Sequence, residues 1–177
     1  GTLFEAFILR GMFEDYKNLL RKWNLTMCEV SDGSINISHE DKCNYIKELS
    51  KDFKVVSEVG SKDKDILLAP YKWIELMQKE LESGSWKVIA EAREGGNVGI
   101  YRSGGEVRSD LIDEILTQIS NNKIIWEAPK RPQQVWFIKL LGPNVNLGNI
   151  AWDEVIALET LRIGLRGDTF FDYLSKS

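Results

Sequence analysis

Four apolar segments of this chain each carry one glutamate near their end, and this repeat constrains the fold more than any other feature. The glutamates are Glu29, Glu58, Glu91 and Glu127, and the intervals between them are 29, 33 and 36 residues. An interval of that length fits one strand followed by one helix. A carboxylate in a buried strand is unfavourable unless it is paired, so four of them in register indicate acidic groups that converge. The carboxyl ends of successive strands converge in this way in a (β/α) barrel.

Strand and helix patterns alternate along the whole chain. The predicted strands cover residues 26–31, 54–60, 86–92 and 123–128, and residues 144–150 are predicted to form a last strand and turn. The predicted helices cover residues 5–23, 38–51, 70–84, 107–120, 133–141 and 153–165. The strands are apolar on both faces, which is typical of buried parallel strands. Strict alternation predicts an α/β fold with a parallel sheet, and residues 1–177 are predicted to form a single domain because no linker interrupts them.

The length of the chain limits how much of a barrel it can form. It has 177 residues, whereas a complete eight-unit barrel takes about 250. Residues 1–4 read as the tail of a strand. We therefore expect an α/β chain of the (β/α)8 TIM-barrel class that covers roughly the C-terminal five to six units of the barrel, with the first units absent. Such a piece alone is expected to be inactive or poorly behaved, because it exposes strand edges.

Charge and cysteine content exclude several classes of function. The net charge is −4 and the pI is about 5.2, whereas a nucleic-acid binder is normally basic. No apolar run approaches the roughly 20 residues that span a bilayer, so neither nucleic acid nor a membrane is an expected partner. Cys28 and Cys43 lie 15 residues apart with a single histidine in the chain. This argues against zinc and favours two reduced thiols in the cytoplasm.

The glutamates themselves are candidates for a metal site. Oxygen ligands with almost no histidine favour Mg²⁺ over zinc, and Glu58, Glu91 and Glu127 are the predicted ligands. Glu29 and Glu127 are alternatively placed to orient lysine or arginine side chains. A second alternative is a structural layer of ion pairs inside the fold. The cations available for that layer are Lys62, Arg93, Lys130 and Lys139.

The loops that follow the strands contribute further candidates. Lys62 follows the second strand, where a lysine can donate a proton, form a Schiff base or pair with phosphate, or can simply be a solvated loop residue. Arg93 follows the third strand, and arginine is the preferred partner of oxyanions. Asn146, Gly148 and Asn149 lie in a loop that would hold a phosphate through backbone N–H groups. The alternative for this loop is a plain turn.

The motifs at these strand ends resemble the phosphosulfolactate synthase family. They are Gly1-Thr2-Leu3-Phe4-Glu5, Glu29-Val30-Ser31-Asp32-Gly33, Glu58-Val59-Gly60, Glu91-Ala92-Arg93-Glu94, Glu127-Ala128-Pro129, Pro143-Asn144-Val145-Asn146-Leu147-Gly148-Asn149-Ile150 and Gly164-Leu165-Arg166-Gly167-Asp168-Thr169. The resemblance runs from the first residue nearly to the last. It implies a (β/α)8 barrel that catalyses Mg²⁺-dependent addition of sulfite to phosphoenolpyruvate, a step of coenzyme M biosynthesis in methanogens.

The resemblance also implies roles for individual residues. Lys62 aligns with the proton donor of the family, and Glu58 and Arg93 complete the catalytic set. The residues expected to bind substrate are Glu29, Asp32, Asn146, Gly148, Asn149 and Arg166. The implied cofactor is Mg²⁺, the implied partners are phosphoenolpyruvate and sulfite, and we expect a cytoplasmic homo-oligomer.

Two other functions stay open at this point. An aldolase-like barrel enzyme would use Lys62 to form a Schiff base with a carbonyl substrate. A non-catalytic relative involved in stress protection would keep the fold without the chemistry. Ser61 stands where many relatives carry a lysine, so the identity of the substrate is less firmly implied than the fold.

Overall fold

The computed structural model describes residues 1–60, 68–93 and 95–173. At its centre lies a parallel sheet of five strands in chain order. The strands are β1 (Met27–Val30), β2 (Lys54–Val59), β3 (Ser85–Ala90), β4 (Ile124–Glu127) and β5 (Leu147–Gly148). Because every neighbouring pair is parallel, the carboxyl ends of these strands meet at one edge of the sheet, called here the carboxyl edge. The opposite edge is the amino edge.

Helices connect the strands. They are α1 (Thr2–Leu9), α2 (Phe13–Lys22), α3 (His39–Leu49), α4 (Pro70–Glu82), α5 (Ser109–Gln118), α6 (Arg131–Leu141), α7 (Val155–Arg162) and α8 (Phe170–Tyr173), with short 3₁₀ turns at Asn121–Lys123 and Trp152–Glu154. The predicted α/β class with a parallel sheet is confirmed, and the order of elements is compatible with part of a (β/α) barrel. No helix among the described residues combines the length and the apolar character needed to cross a bilayer.

Local sequence explains where the elements begin. Ser38 caps α3, because its hydroxyl oxygen accepts the backbone N–H of Asp41 at 3.0 Å. Pro70 occupies the first turn of α4, where its missing N–H is not needed. Strand β2 is buried along all but its first residue, as its apolar faces predict. Its buried Ser57 shares a hydrogen bond of 2.7 Å with Ser85 on the neighbouring strand.

Two apolar clusters hold the helices against the sheet. The larger one includes the stacked rings of Trp126 and Phe137, whose centroids lie 5.2 Å apart. The smaller one packs α1 and α2 on β1 around Phe4 and Tyr16. Full burial of a large apolar side chain stabilises a fold by about 1.5–3 kcal/mol, so these contacts fix the strand ends relative to one another.

The beginning of the chain differs from the prediction. Residues 1–4 are not the tail of a strand, because α1 begins at Thr2 and buries Phe4 completely. The single helix predicted over residues 5–23 is two helices. Gly11 lies between them with a φ of +68°, a left-handed conformation that glycine adopts readily and that ends a helix.

The last unit is shorter than predicted. Within the last strand and turn expected over residues 144–150, the strand is only Leu147–Gly148, because only these two residues pair with β4. The helix expected over residues 153–165 begins with the 3₁₀ turn and ends at Arg162. Helix α8, which follows it, was not predicted.

Candidate functional site

Four strand ends bring one glutamate each to the carboxyl edge. Glu29 lies in β1, Glu58 in β2 and Glu127 at the end of β4, and Glu91 directly follows β3. The four side chains line one cavity of about 680 Å³. This cavity, called here the acidic cavity, is also lined by Arg93, Gly95, Asn97 and Asn149. The structure therefore shows the convergence that the spacing of the glutamates predicted.

Three of these glutamates form a tight cluster. Glu58, Glu91 and Glu127 each offer one carboxylate oxygen, and the three oxygens lie within 4.8 Å of one another. Glu58 and Glu91 are buried and Glu127 is half-buried. Carboxylates this close repel each other when they are partly buried, and a hard divalent cation with oxygen ligands relieves that repulsion. The donor set of this cluster, called here the carboxylate cluster, therefore fits Mg²⁺.

Glu127 is held by hydrogen bonds from two directions. The backbone N–H of Ala92 donates to its Oε2 at 2.7 Å, and the side chain of Asn149 bonds to it as well. Burial raises the pKa of the Glu127 carboxyl above its usual value, and the charges of Glu58 and Glu29 act in the same direction. The hydrogen bonds oppose this rise without cancelling it. A cation beside Glu127 would favour its charged form.

The loop after β3 folds back over Glu91. The Arg93 N–H donates to Glu91 Oε1 at 2.6 Å, and the Ile100 N–H donates to the Glu91 carbonyl at 3.2 Å. Arg93 has a φ of +55°, which is uncommon for a residue other than glycine and often marks a functional site. A Cβ at Gly99 would lie 2.0 Å from the Glu91 carbonyl oxygen, so only glycine fits there. This fold-back places Arg93 and Asn97 on the cavity wall.

Buried side chains hold the same loop from outside. Gln133 on α6 donates to the carbonyls of Gly96 and Gly105, at 2.8 and 3.1 Å. Arg108 donates to the Gly99 carbonyl at 3.0 Å, and the Tyr101 hydroxyl donates to the Glu127 carbonyl at 2.6 Å. These contacts make the cavity wall a fixed surface.

Sequence reasoning missed several residues of this region. Asn97 lines the acidic cavity, and Gln133, Arg108 and Tyr101 fix its wall. Glu5 is buried on α1 and accepts a hydrogen bond from Ser31 at the end of β1. The signal for the loop was its series of glycines, but nothing local in the sequence identifies the partners of these side chains.

Of the predicted substrate-binding residues, Glu29 and Asn149 line the acidic cavity. Asp32 is instead directed to Lys42, whose Nζ lies 2.9 Å from its Oδ1. Gly148 belongs to β5, where a Cβ would lie 2.9 Å from Ile125 Cγ2. Its small size therefore serves the packing of the sheet.

Two further predicted residues lie away from the acidic cavity. Asn146 donates to the Ile124 carbonyl at the start of β4, at 3.1 Å, and lines a cavity at the amino edge. Arg166 bonds to the Thr160 hydroxyl at 2.8 Å and lines a separate cavity of about 360 Å³. Asn146 precedes its strand rather than following it, and a role of Asn146 or Arg166 in substrate binding stays a prediction. Lys62 falls in residues 61–67, outside the described residues.

The alternative of an ion-pair layer gains no support from Lys139, since its ammonium pairs with Asp172 at 3.5 Å. Arg93 lies on the wall of the acidic cavity.

A parallel sheet with acidic groups converging at its carboxyl edge defines an α/β domain of the kind that holds an active site at that edge. The family model described as (2R)-phospho-3-sulfolactate synthase matches residues 1–168. The chain belongs to this family.

Curated relatives agree with the family model. The phosphosulfolactate synthase of Methanocaldococcus jannaschii is 45% identical over 174 residues, which is 96% of this chain and 69% of the relative. That of Methanothermobacter thermautotrophicus is 44% identical over 173 residues, covering 96% and 67%. That of Bacillus subtilis is 41% identical over 174 residues, covering 97% and 69%. All three are named as synthases, so the family is one of enzymes.

Proposed function

We propose that this chain catalyses the Mg²⁺-dependent addition of sulfite to phosphoenolpyruvate, which gives phosphosulfolactate. The observation that carries the proposal is the carboxylate cluster at the carboxyl edge, with its three oxygens within 4.8 Å of one another. The names of the curated relatives, which match nearly the whole chain, support the same product.

Glu58, Glu91 and Glu127 are the residues that would hold Mg²⁺. They offer hard oxygen ligands of the type that this ion prefers, and their close approach in a partly buried site favours a cation between them. When bound, Mg²⁺ would stabilise the negative charge that collects on the substrate carboxylate during the addition.

The reaction itself requires one new bond and one proton. The sulfur of sulfite forms a bond to C3 of phosphoenolpyruvate, the C2–C3 double bond opens, and C2 takes up a proton. Nothing is oxidised or reduced. Lys62, which lies outside the described residues, is the proposed proton donor on the basis of the sequence resemblance. Arg93 on the cavity wall would bind an anionic group of the substrates through its planar guanidinium.

The remaining residues of the acidic cavity would orient these groups. Asn149 bonds to Glu127 and would hold its carboxylate in place. Asn97 offers an uncharged donor on the wall. Glu29 lies on the β1 side of the cavity. Because both substrates are anions, a glutamate here would repel misplaced substrate and restrict the productive orientation.

The proposal includes a cytoplasmic location and a homo-oligomeric assembly. Cys28 and Cys43 are free thiols, which fits a reducing compartment. Trp152 and Ile156 are largely exposed to solvent at the start of the last unit. Exposed apolar residues of this size often mark a contact between subunits.

The test is a direct assay on the full-length natural protein. We expect sulfite-dependent consumption of phosphoenolpyruvate with appearance of a phosphosulfolactate signal in ³¹P NMR, and loss of both in Lys62→Ala. An intact fold with no turnover at any Mg²⁺ concentration would refute the proposal and favour the non-catalytic alternative. Borohydride trapping of a carbonyl substrate on Lys62 would instead favour the aldolase-like alternative.

A further inference from the structure

A buried lysine outside the acidic cavity is bonded to the strand that carries one of its glutamates. Lys42 lies on α3, and only 2% of its side chain is exposed. Its Nζ lies 2.9 Å from Asp32 Oδ1 and 2.9 Å from Glu80 Oε1, and it donates to the main-chain carbonyl of Glu58. An ammonium group has three hydrogen-bond donors, and these three acceptors match them.

The contact with Glu58 occurs where the pairing of two strands stops. The ladder between β1 and β2 runs from Met27 opposite Lys54 to Val30 opposite Ser57, so it ends one residue before Glu58. A buried carbonyl that lacks a donor destabilises the fold. Lys42 donates to this carbonyl at the point where the ladder ends, and it therefore fixes the main chain of Glu58.

The same ammonium ties two further elements to this point. Asp32 belongs to the loop after β1, and Glu80 belongs to α4, where it is buried and also lies 3.2 Å from His39 Nε2. Burial alone would lower the pKa of Lys42, but the charges of Glu80 and Asp32 outweigh it and raise the pKa above its usual value. The ammonium group of Lys42 thus connects α3 with α4, with the loop after β1 and with the main chain of Glu58 on β2.

We infer that Lys42 is a positioning residue for the carboxylate cluster, which fixes the main chain of Glu58 so that its carboxylate meets those of Glu91 and Glu127. This inference rests on the proposed function, since it treats the cluster as a cation site. Lys42 acts through Glu58 rather than on the substrates. Removing partners that orient metal-binding residues typically weakens metal affinity by about 10–100-fold.

A second buried lysine offers a matched control. Lys17 lies on α2 with 9% of its side chain exposed, and its Nζ is 2.7 Å from Glu14 and 3.9 Å from Glu48. Glu14 lies on α2 and Glu48 lies near the end of α3, and both are away from the carboxyl edge. Lys17→Met therefore removes a buried ammonium group and its ion pairs without touching β2.

The experiment measures Mn²⁺ binding by electron paramagnetic resonance titration of the full chain, with Lys42→Met, Lys17→Met and the parent side by side. We expect thermal stability to fall in both variants, because Lys42→Met leaves the buried Glu80 without its ammonium partner and Lys17→Met removes a largely buried ammonium group that pairs with exposed glutamates. We expect Mn²⁺ affinity to fall about tenfold or more in Lys42→Met alone. Equal affinity of Lys42→Met and the parent, or an equal loss in Lys17→Met, overturns the inference.

A second variant decides the question if Lys42→Met does not fold. Lys42→Arg keeps the positive charge, but a planar guanidinium cannot place one nitrogen against all three acceptors. We expect a native circular dichroism spectrum with weakened Mn²⁺ binding, and unchanged binding overturns the inference. A parent that binds no Mn²⁺ overturns both this inference and the proposed function. A parent that binds Mn²⁺ without consuming phosphoenolpyruvate overturns the proposed function only, and the affinity comparison still decides the role of Lys42.

Discussion

The two edges of the sheet carry cavities of nearly the same size and of very different character. The acidic cavity at the carboxyl edge measures about 680 Å³ and gathers four glutamates from four successive strands. The cavity at the amino edge measures about 670 Å³ and includes Trp86, Lys87, Asn146 and Arg162 among its lining residues. Volume alone does not distinguish a functional site from a surface groove.

What distinguishes the edges is how their charged groups are used. At the amino edge, Lys87 donates to the Asn122 carbonyl and Arg162 donates to the Pro143 carbonyl. Both cations therefore form hydrogen bonds with main-chain carbonyls of the protein itself. At the carboxyl edge, Glu58 and Glu91 are buried and lie against a third carboxylate from another strand. Like charges gathered in a buried place repel one another, and this is the reason for proposing a cation between them.

Removal of divalent cations should have the largest effect, and it should act on the carboxyl edge alone. We expect a chelator to abolish sulfite-dependent consumption of phosphoenolpyruvate and added Mg²⁺ to restore it, because the carboxylate cluster repels anionic substrates without a cation. Mg²⁺ at 100 times its Kd should also stabilise the fold by about 2.7 kcal/mol. Calorimetry and the activity assay check both. Full activity in excess chelator would contradict the assignment.

A substitution at each edge gives the next largest difference. Glu91→Gln keeps the shape of the side chain and removes one charge of the cluster, and we expect kcat/KM to fall by about 10²–10³-fold. Lys87→Gln removes a charge at the amino edge, and we expect kcat/KM to stay within a factor of two or so of the parent. Steady-state kinetics of both variants decide the matter. Similar losses in the two would erase the distinction between the edges.

Two glycines test how tightly the carboxyl edge is packed. Gly99→Ala adds left-handed strain of about 1–2 kcal/mol and overpacking of about 1–3 kcal/mol, because its Cβ would meet the Glu91 carbonyl. Gly11→Ala has a similar φ of +68° but no atom within 4 Å, so it adds the strain only. Urea unfolding should show a larger loss of stability at Gly99. Equal losses would mean that the loop after β3 shifts to accommodate the added methyl group at little cost in stability.

The smallest expected effect is at Asn146. Asn146→Ala removes one hydrogen bond, to the Ile124 carbonyl, and should lower the free energy of unfolding by about 1 kcal/mol. Activity should not change, because this side chain lies at the amino edge. A large fall in kcat/KM with an intact fold would restore Asn146 as a substrate-binding residue.

The order of strands and helices and the position of the four glutamates were predictable from the sequence. Strand β2 is apolar on both faces, and Pro70 and Ser38 mark helix starts, so these elements have local signatures. The separation of α1 from α2 was missed because Gly11 is an isolated glycine within an amphipathic pattern. A lone glycine of this kind is also tolerated inside helices.

The surroundings of the glutamates were not predictable in the same way. Gln133 bonds to Gly96 and Gly105, and Lys42 bonds to Glu58. These partners are distant in sequence, and no local pattern connects them. Asp32 follows its strand as the motif suggested, yet it pairs with Lys42 because a buried ammonium group required an acceptor.

The sequence by itself determined the alternation of strands and helices and the placing of one carboxylate at the end of each of four strands. Both follow from patterns read along the chain, since apolar periodicity and turn residues act over a few positions. Only the tertiary structure decided which side chains share a cavity, that Asn146 lies at the opposite edge, and that Lys42 stands behind Glu58. A buried polar group must find its partner among groups that packing brings close, and those groups are far away along the chain.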